Sequence, residues 1–245
     1  MNTALGRLVR TELTLMTREP LTLTFVFIFP VVTMLIIGGA FGTKPDVAFD
    51  WVNPSHWYVA SYLTVVIAAT GLIMVPVHLA SYRERGVLRR FAAAGFPRWS
   101  FAVAQLVTGL VAVAAASAVL LAVAAPTYGL PSMHHAAGVV VGFVLGALAF
   151  VSIGVLLGTV LPSARSAQAV GLVLFFPSFL LGAGGPPPYA MGSALRTVAG
   201  YLPLTRVTDA VRDAWLGVGT ATGSLLVVGA LAVAATALAV RRSAL

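Results

Sequence analysis

Five long runs of this chain contain no Asp, Glu, Lys or Arg: residues 20–43, 51–82, 99–164, 166–195 and 214–240. About 20 apolar residues suffice to cross a bilayer, and a helix satisfies its own backbone groups there without water. The run 99–164 is long enough for two crossings, with Pro126 and Pro131 marking the turn between them. The pattern predicts an all-α polytopic membrane protein in a single transmembrane domain, with six spans near 21–42, 58–80, 101–125, 135–160, 167–184 and 219–240. Composition agrees, since 9% of residues are charged and 59% apolar, against about a quarter charged in a soluble domain. The 24 Gly and 14 Pro suit transmembrane helices, which carry both more often than soluble ones. With no Cys, disulfides and thiolate metal sites are excluded. The first apolar run begins too late and extends too far for a secretory signal peptide.

The charges orient the spans. One side holds Arg7, Arg10, Arg18, Arg83, Arg85, Arg89, Arg90, Arg98, Arg165, Arg241 and Arg242 against only Glu12, Glu19 and Glu84, a net of +8. The other holds Lys44, Arg196, Arg206 and Arg212, balanced by Asp46, Asp50, Asp209 and Asp213. Cytoplasmic loops carry the excess of Lys and Arg. Both termini are therefore expected in the cytoplasm, in a multi-pass protein of the cell (inner or plasma) membrane.

Residues 1–20 read as an interfacial helix. At 100° per residue Leu5, Leu8, Val9, Leu13 and Met16 share one arc, and Arg7, Arg10, Thr14 and Arg18 the opposite one. Glu12 falls within the apolar arc. Two readings stay open: it reaches the headgroups or pairs locally, or it meets an Arg of a partner. After the first span, Trp51, Trp57 and Tyr58 read as an outer aromatic belt. Pro76 predicts a kink in the second span, and His78 reads as a polar residue at the inner interface.

In the fourth span Gly138, Gly142 and Gly146, then Gly154 and Gly158, recur every four residues, a spacing that lets helix backbones touch. His134 and His135 precede this span on the outer side, where a metal site would need further ligands. Residues 186–217 are too polar to span and too apolar for a free loop. Leu195, Val198, Ala199 and Leu202 recur at helical spacing, as do Val207, Ala210, Val211 and Ala214. They predict two short helices dipping into the outer leaflet, broken at Pro203 and covered by the spans.

Absences narrow the function. No span centre carries an ionisable group of the kind that ion-coupled transporters place at depth. Lys44 lacks the Gly-x-x-x-x-Gly-Lys-Ser/Thr frame of a phosphate-binding loop, and neither Gly-x-Ser-x-Gly nor His-Glu-x-x-His occurs. Any use of ATP must come through another subunit. Two further classes stand as alternatives: a polytopic membrane enzyme built on His134, His135 and the outer carboxylates, or an ATP-independent channel or facilitator.

The stretch 83–99 carries five of the fifteen Lys and Arg between two uncharged runs. As a helix over 83–96 it places Val87, Leu88, Phe91 and Ala94 on one arc, with Arg85 and Arg89 opposite and Glu84 stranded among the apolar residues. Gly95 and Pro97 end it. Arg83-Glu84-Arg85-Gly86-Val87-Leu88-Arg89-Arg90-Phe91 resembles the Arg/Glu-rich, Gly-Thr/Val-Leu segment that follows the second span in permeases of the type-2 ABC exporter family, ABC-2. Val87 stands where Thr is commoner and Gly95 where Pro is usual. The Gly-rich end of span five, Pro187, Pro203-Leu204-Thr205 and Asp209-Ala-Val-Arg212 resemble that family's segment before its last span.

The resemblance implies a permease without its own ATPase, paired with a second permease, identical or homologous, and served by two copies of an ABC-type ATPase that binds ATP and Mg. It implies that Arg83, Glu84, Arg85, Gly86, Leu88, Arg89 and Phe91 dock on that ATPase with Glu12 beside them, and that Pro187, Pro203 and Arg212 belong to the outer element. Expected partners are these proteins and the bilayer, with no nucleic acid. The chain itself is expected to hold no cofactor and no metal. Uncharged span interiors point to an apolar or amphipathic cargo, such as a drug-like molecule or a lipid.

Overall fold

Proline and glycine punctuate the helices. The computed structural model describes residues 14, 19–87, 98–218 and 222–244. Pro20 opens α1, which runs through Pro20–Leu23, a π-helical turn at Thr24–Ile28, and Phe29–Ala40. After a short loop Pro54 begins α2, with Asn53 Oδ1 accepting from the Ser55 N–H as its cap. This helix continues through Pro54–Ala69, a π-helical turn at Thr70–Met74 and Val75–Glu84. Then come α3 (Arg98–Tyr128), α4 (Ala136–Val160) and α5 (Ala164–Ser178, closing with a π-helical turn at Phe179–Ala183). Two short helices, α6 (Ser193–Tyr201) and α7 (Pro203–Leu216), precede the last, α8 (Thr222–Ala244). Among the described residues there is no β-strand, only an isolated bridge between Asp46 and Val52.

Five of these helices are long and apolar enough to cross a membrane: α2, α3, α4, α5 and α8. The apolar part of α1, Thr24–Ala40, is shorter. The chain is thus a multi-pass, all-helical membrane protein. Nearly all of the apolar window of α2 is buried, because α1, α3, α4, α5 and α7 pack around it. Along α1, α5 and α8, by contrast, Ile36, Val173, Leu226 and Val233 are each more than half exposed. In a bilayer such a face meets acyl chains or another membrane protein.

Three expectations are revised. The irregularity due at Pro76 takes the form of a π-helical turn, and the same pattern, Thr followed six residues later by Pro, recurs at Thr24 and Pro30. A proline cannot donate to the carbonyl four residues back, and in both turns the preceding N–H bonds instead five residues back, Phe29 to Thr24 O and Val75 to Thr70 O. Next, α3 does not stop at Pro126 but runs to Tyr128, and Gly129, at φ +73°, makes the left-handed exit. Finally, Trp57 and Tyr58 are not an interfacial belt. Both are buried, with Tyr58 Oη donating to Gly185 O at 3.1 Å; only Trp51 is exposed. The Gly-rich end of α5 comes close enough to cover them.

The two glycine sets of α4 serve different neighbours. A Cβ at Gly138, Gly142 or Gly146 would meet Ala214, Ala210 or Val207 of α7, whereas one at Gly154 or Gly158 would meet Val75 or Leu79 of α2. Both contacts are backbone-close, so α4 joins α7 to the C-terminal half of α2. Polar pairs add to the packing. Thr64 and Thr208 hydroxyls lie 2.7 Å apart between α2 and α7, and Ser152 and Thr236 hydroxyls 2.9 Å apart between α4 and α8. The second pair places the C-terminal halves of α4 and α8 side by side.

Candidate functional site

Of the residues proposed for docking, the structure describes Arg83, Glu84, Arg85 and Gly86; Leu88, Arg89, Phe91 and Glu12 lie outside the described residues. Arg83 and Glu84 are the last two residues of α2, and Gly86, at φ +69°, turns the chain away from the helix. All three charged side chains are exposed.

Two of them have partners about 80 residues away in sequence. Arg83 Nη1 donates to Gly158 O at 3.2 Å and to Leu161 O at 3.1 Å, the carbonyl end of α4. Glu84 Oε2 accepts from the Ala164 N–H at 3.1 Å, the first residue of α5. Charge thus matches each helix end, a cation at a C-terminus and a carboxylate at an N-terminus. Between them Ser163 caps α5 in a reciprocal box with Ser166. His78, taken as a polar interfacial residue, is buried one turn above, with Nδ1 3.6 Å from Glu19 Oε2.

At the end of the bundle that the charge distribution assigns to the outside, called outer below, α7 places Asp209, Arg212 and Asp213 together. Pro203 opens this helix, and Val207, Ala210, Val211 and Ala214 are buried as their spacing predicts. On α6 the helical spacing holds, but Leu195 and Val198 face outward. Arg212 is 7% exposed and contacts three residues. Its Nη2 donates to Asp209 Oδ1 at 2.7 Å and to Asp213 Oδ1 at 3.1 Å, and its guanidinium lies 4.0 Å from the centre of the Trp57 ring. Burial pushes the Asp213 carboxyl up to about 6, with Arg212 drawing it back and Asp209 adding to the rise.

A cavity of about 180 Å³ opens beside this cluster, lined among others by Trp57, Gly182, Pro187, Arg196, Asp209 and Arg212. A second, of about 280 Å³, adjoins Asp50, Tyr189, Arg196 and Asp213. Pro187 precedes the short turn Pro188–Ala190 that forms the rim. His134 and His135 are held by their backbone, donating to Trp215 O and Ala214 O at 3.0 Å each. Among the described residues no group of three or more His, Cys, Asp or Glu is placed to hold a metal ion.

Two sites thus stand at opposite ends of an all-helical membrane protein, and comparison with known proteins says which family builds them. The family model described as ABC-2 type transporter matches residues 3–216. The chain belongs to the ABC-2 type transporter family. Among curated proteins it is similar to the probable multidrug ABC transporter permease YbhR of Escherichia coli strain K12, and to the protein of the same description in Escherichia coli O157:H7. Each is 23% identical over 171 residues, which cover 68% of this chain and 46% of the relative. The chain therefore aligns with about half the length of the curated relatives it matches. The family segment takes in both sites and ends at Leu216, just before α8.

The sequence missed the partners of Arg83 and Glu84 and the burial of Arg212. The acidic residues three before and one after Arg212 were a usable signal for the second; nothing near 83–84 in sequence pointed to Ala164.

Proposed function

We propose that this chain is the membrane subunit of an ATP-driven exporter. It crosses the membrane six times, with α1 as the first span and both termini cytoplasmic, and α6 and α7 form a re-entrant element in the outer leaflet. It pairs with a second permease, identical or homologous, and two copies of an ABC-type ATPase dock beneath it, holding the ATP and Mg. The cargo is apolar or amphipathic, a drug-like molecule or a lipid.

The observation that carries this reading is the family match over residues 3–216, which spans both the arginine-rich end of α2 and the outer helix pair. The curated relatives described as probable multidrug permeases support the cargo class. Exposed Arg85 and Arg165, next to the α4–α5 turn, give the inner end a basic surface for a partner. The exposed apolar residues of α1 and α5 suit acyl chains or a second permease.

The test is transport. Inverted vesicles holding the chain and an ABC-type ATPase from the same source are expected to accumulate a lipophilic dye only with ATP and Mg. Accumulation at the same rate without ATPase would instead mark a passive facilitator and overturn the reading.

A further inference from the structure

We propose that Arg83 and Glu84 are positioning residues that clamp the α4–α5 turn to the end of α2, so that movement of the docking segment carries the inner ends of α4 and α5 with it. This rests on the exporter reading, and it assigns these two side chains a task within the chain in place of direct contact with the ATPase.

The last four carbonyls of a helix and its first four N–H groups lack intrahelical partners. At the end of α4, Arg83 takes up the carbonyl of Gly158 and that of Leu161, just beyond the helix. At the start of α5, Ser163 takes the Ser166 and Ala167 N–H groups through its hydroxyl and carbonyl, and Glu84 takes that of Ala164. Two neighbouring residues on one helix therefore complete the caps of two others, each with the charge that the helix end favours.

Neighbouring residues of a helix point about 100° apart, so a single helix end reaches both sides of the turn. The turn itself is short and braced by the Ser163–Ser166 box. Above it the same three helices are already in backbone contact. A Cβ at Gly154 or Gly158 of α4 would collide with α2, and one at Gly171 of α5 would meet Leu72 O of α2. Close glycine packing holds α2, α4 and α5 together along their length, and the charged pair closes the bundle at its open end. Gly86 follows at once. What lies beyond it is thus joined to the clamp by one turn.

The test has two arms. The chain has no native cysteine, so Arg85→Cys and Arg165→Cys accept spin labels on the two turns. In the isolated permease in nanodiscs the distance distribution is expected to be narrow. It should broaden in Glu84→Ala and Arg83→Ala, and partly in Glu84→Gln, whose carbonyl still accepts from Ala164. In the unlabelled permease–ATPase complex the same substitutions should leave association and ATP hydrolysis within about twofold while transport falls about tenfold.

An unchanged distribution in Glu84→Ala and Arg83→Ala overturns the clamp whatever the chain transports. A broadened distribution with undiminished transport overturns its role in transmission, as does loss of ATPase association in parallel with transport. Where Ala at either position fails to give folded protein, Glu84→Gln is read by the same criteria. A wild-type complex with no ATP-driven transport overturns the exporter reading, and the transmission role with it.

Discussion

The two ends of this protein use arginine in opposite ways. At the outer end Arg212 is buried against Trp57 and held by Asp209 and Asp213, so the cluster satisfies itself within one helix and its neighbour. At the inner end Arg83 and Glu84 are exposed, and they spend their hydrogen bonds on the backbone of two other helices. A buried ion cluster costs desolvation and tolerates no missing member. An exposed charge costs little to hold and stays responsive to what arrives from solution. The outer cluster is therefore built to stay closed, and the inner pair to connect.

Removing one arginine from each end gives the sharpest contrast. Arg212→Ala leaves two carboxylates facing each other beside an uncovered Trp57, and should destabilise the protein by about 3 kcal/mol; Arg85→Ala should change stability by less than about 0.5 kcal/mol. Thermal unfolding in detergent measures both. Equal losses would erase the distinction between the two ends.

The glycine contacts are next in size. Gly146→Leu drives a side chain into Val207 of α7, and Gly154→Leu drives one into Val75 of α2. Each should cost about 1–3 kcal/mol through overpacking. Only the first should loosen the outer helix pair, as hydrogen exchange of α6 and α7 would show. If both substitutions raise exchange there alike, α4 does not divide its contacts as described.

A pH response is expected at the outer end. Burial raises the Asp213 carboxyl from 3.8 to about 6 in the folded chain. Between those values the folded state binds more protons than the unfolded state, so stability contributed by this group rises as pH falls through the window and is lost as pH climbs past about 6. Asp213→Asn should remove that slope from melting curves recorded between pH 4 and 7. A slope that survives the substitution assigns it to another group.

The smallest effect concerns the membrane interior. Thr64→Val removes the hydroxyl pair with Thr208 at 2.7 Å and should cost about 0.6 kcal/mol, the usual value for such bonds between membrane helices. A loss several times larger would mean that this pair, more than the Arg212 cluster, seats α7 on α2.

Helix positions were readable in the sequence because charge is excluded from a bilayer and Gly and Pro mark the ends, so the spans expected at 58–80 and 219–240 fall within a few residues of α2 and α8. The break at Pro203 was equally plain, since a proline at the first position of a helix needs no N–H partner. What escaped depends on distance along the chain. Trp57 and Tyr58 stand beside a loop and carry the signature of an interfacial belt; their burial is decided by Arg212 and Gly185, more than 100 residues later. Glu84 looked stranded on an apolar arc because its partner is the backbone N–H of Ala164, and a backbone group leaves no trace in a pattern of side chains. Family resemblance drew attention to residues 83–91 without revealing this contact.

The most direct test of the exporter account is co-purification. Tagged wild-type permease is predicted to bring down an ABC-type P-loop ATPase in equal stoichiometry, and Arg85→Glu, which reverses charge at the exposed inner turn, to lose most of it while remaining folded. A permease that purifies alone and still moves its cargo would contradict the account.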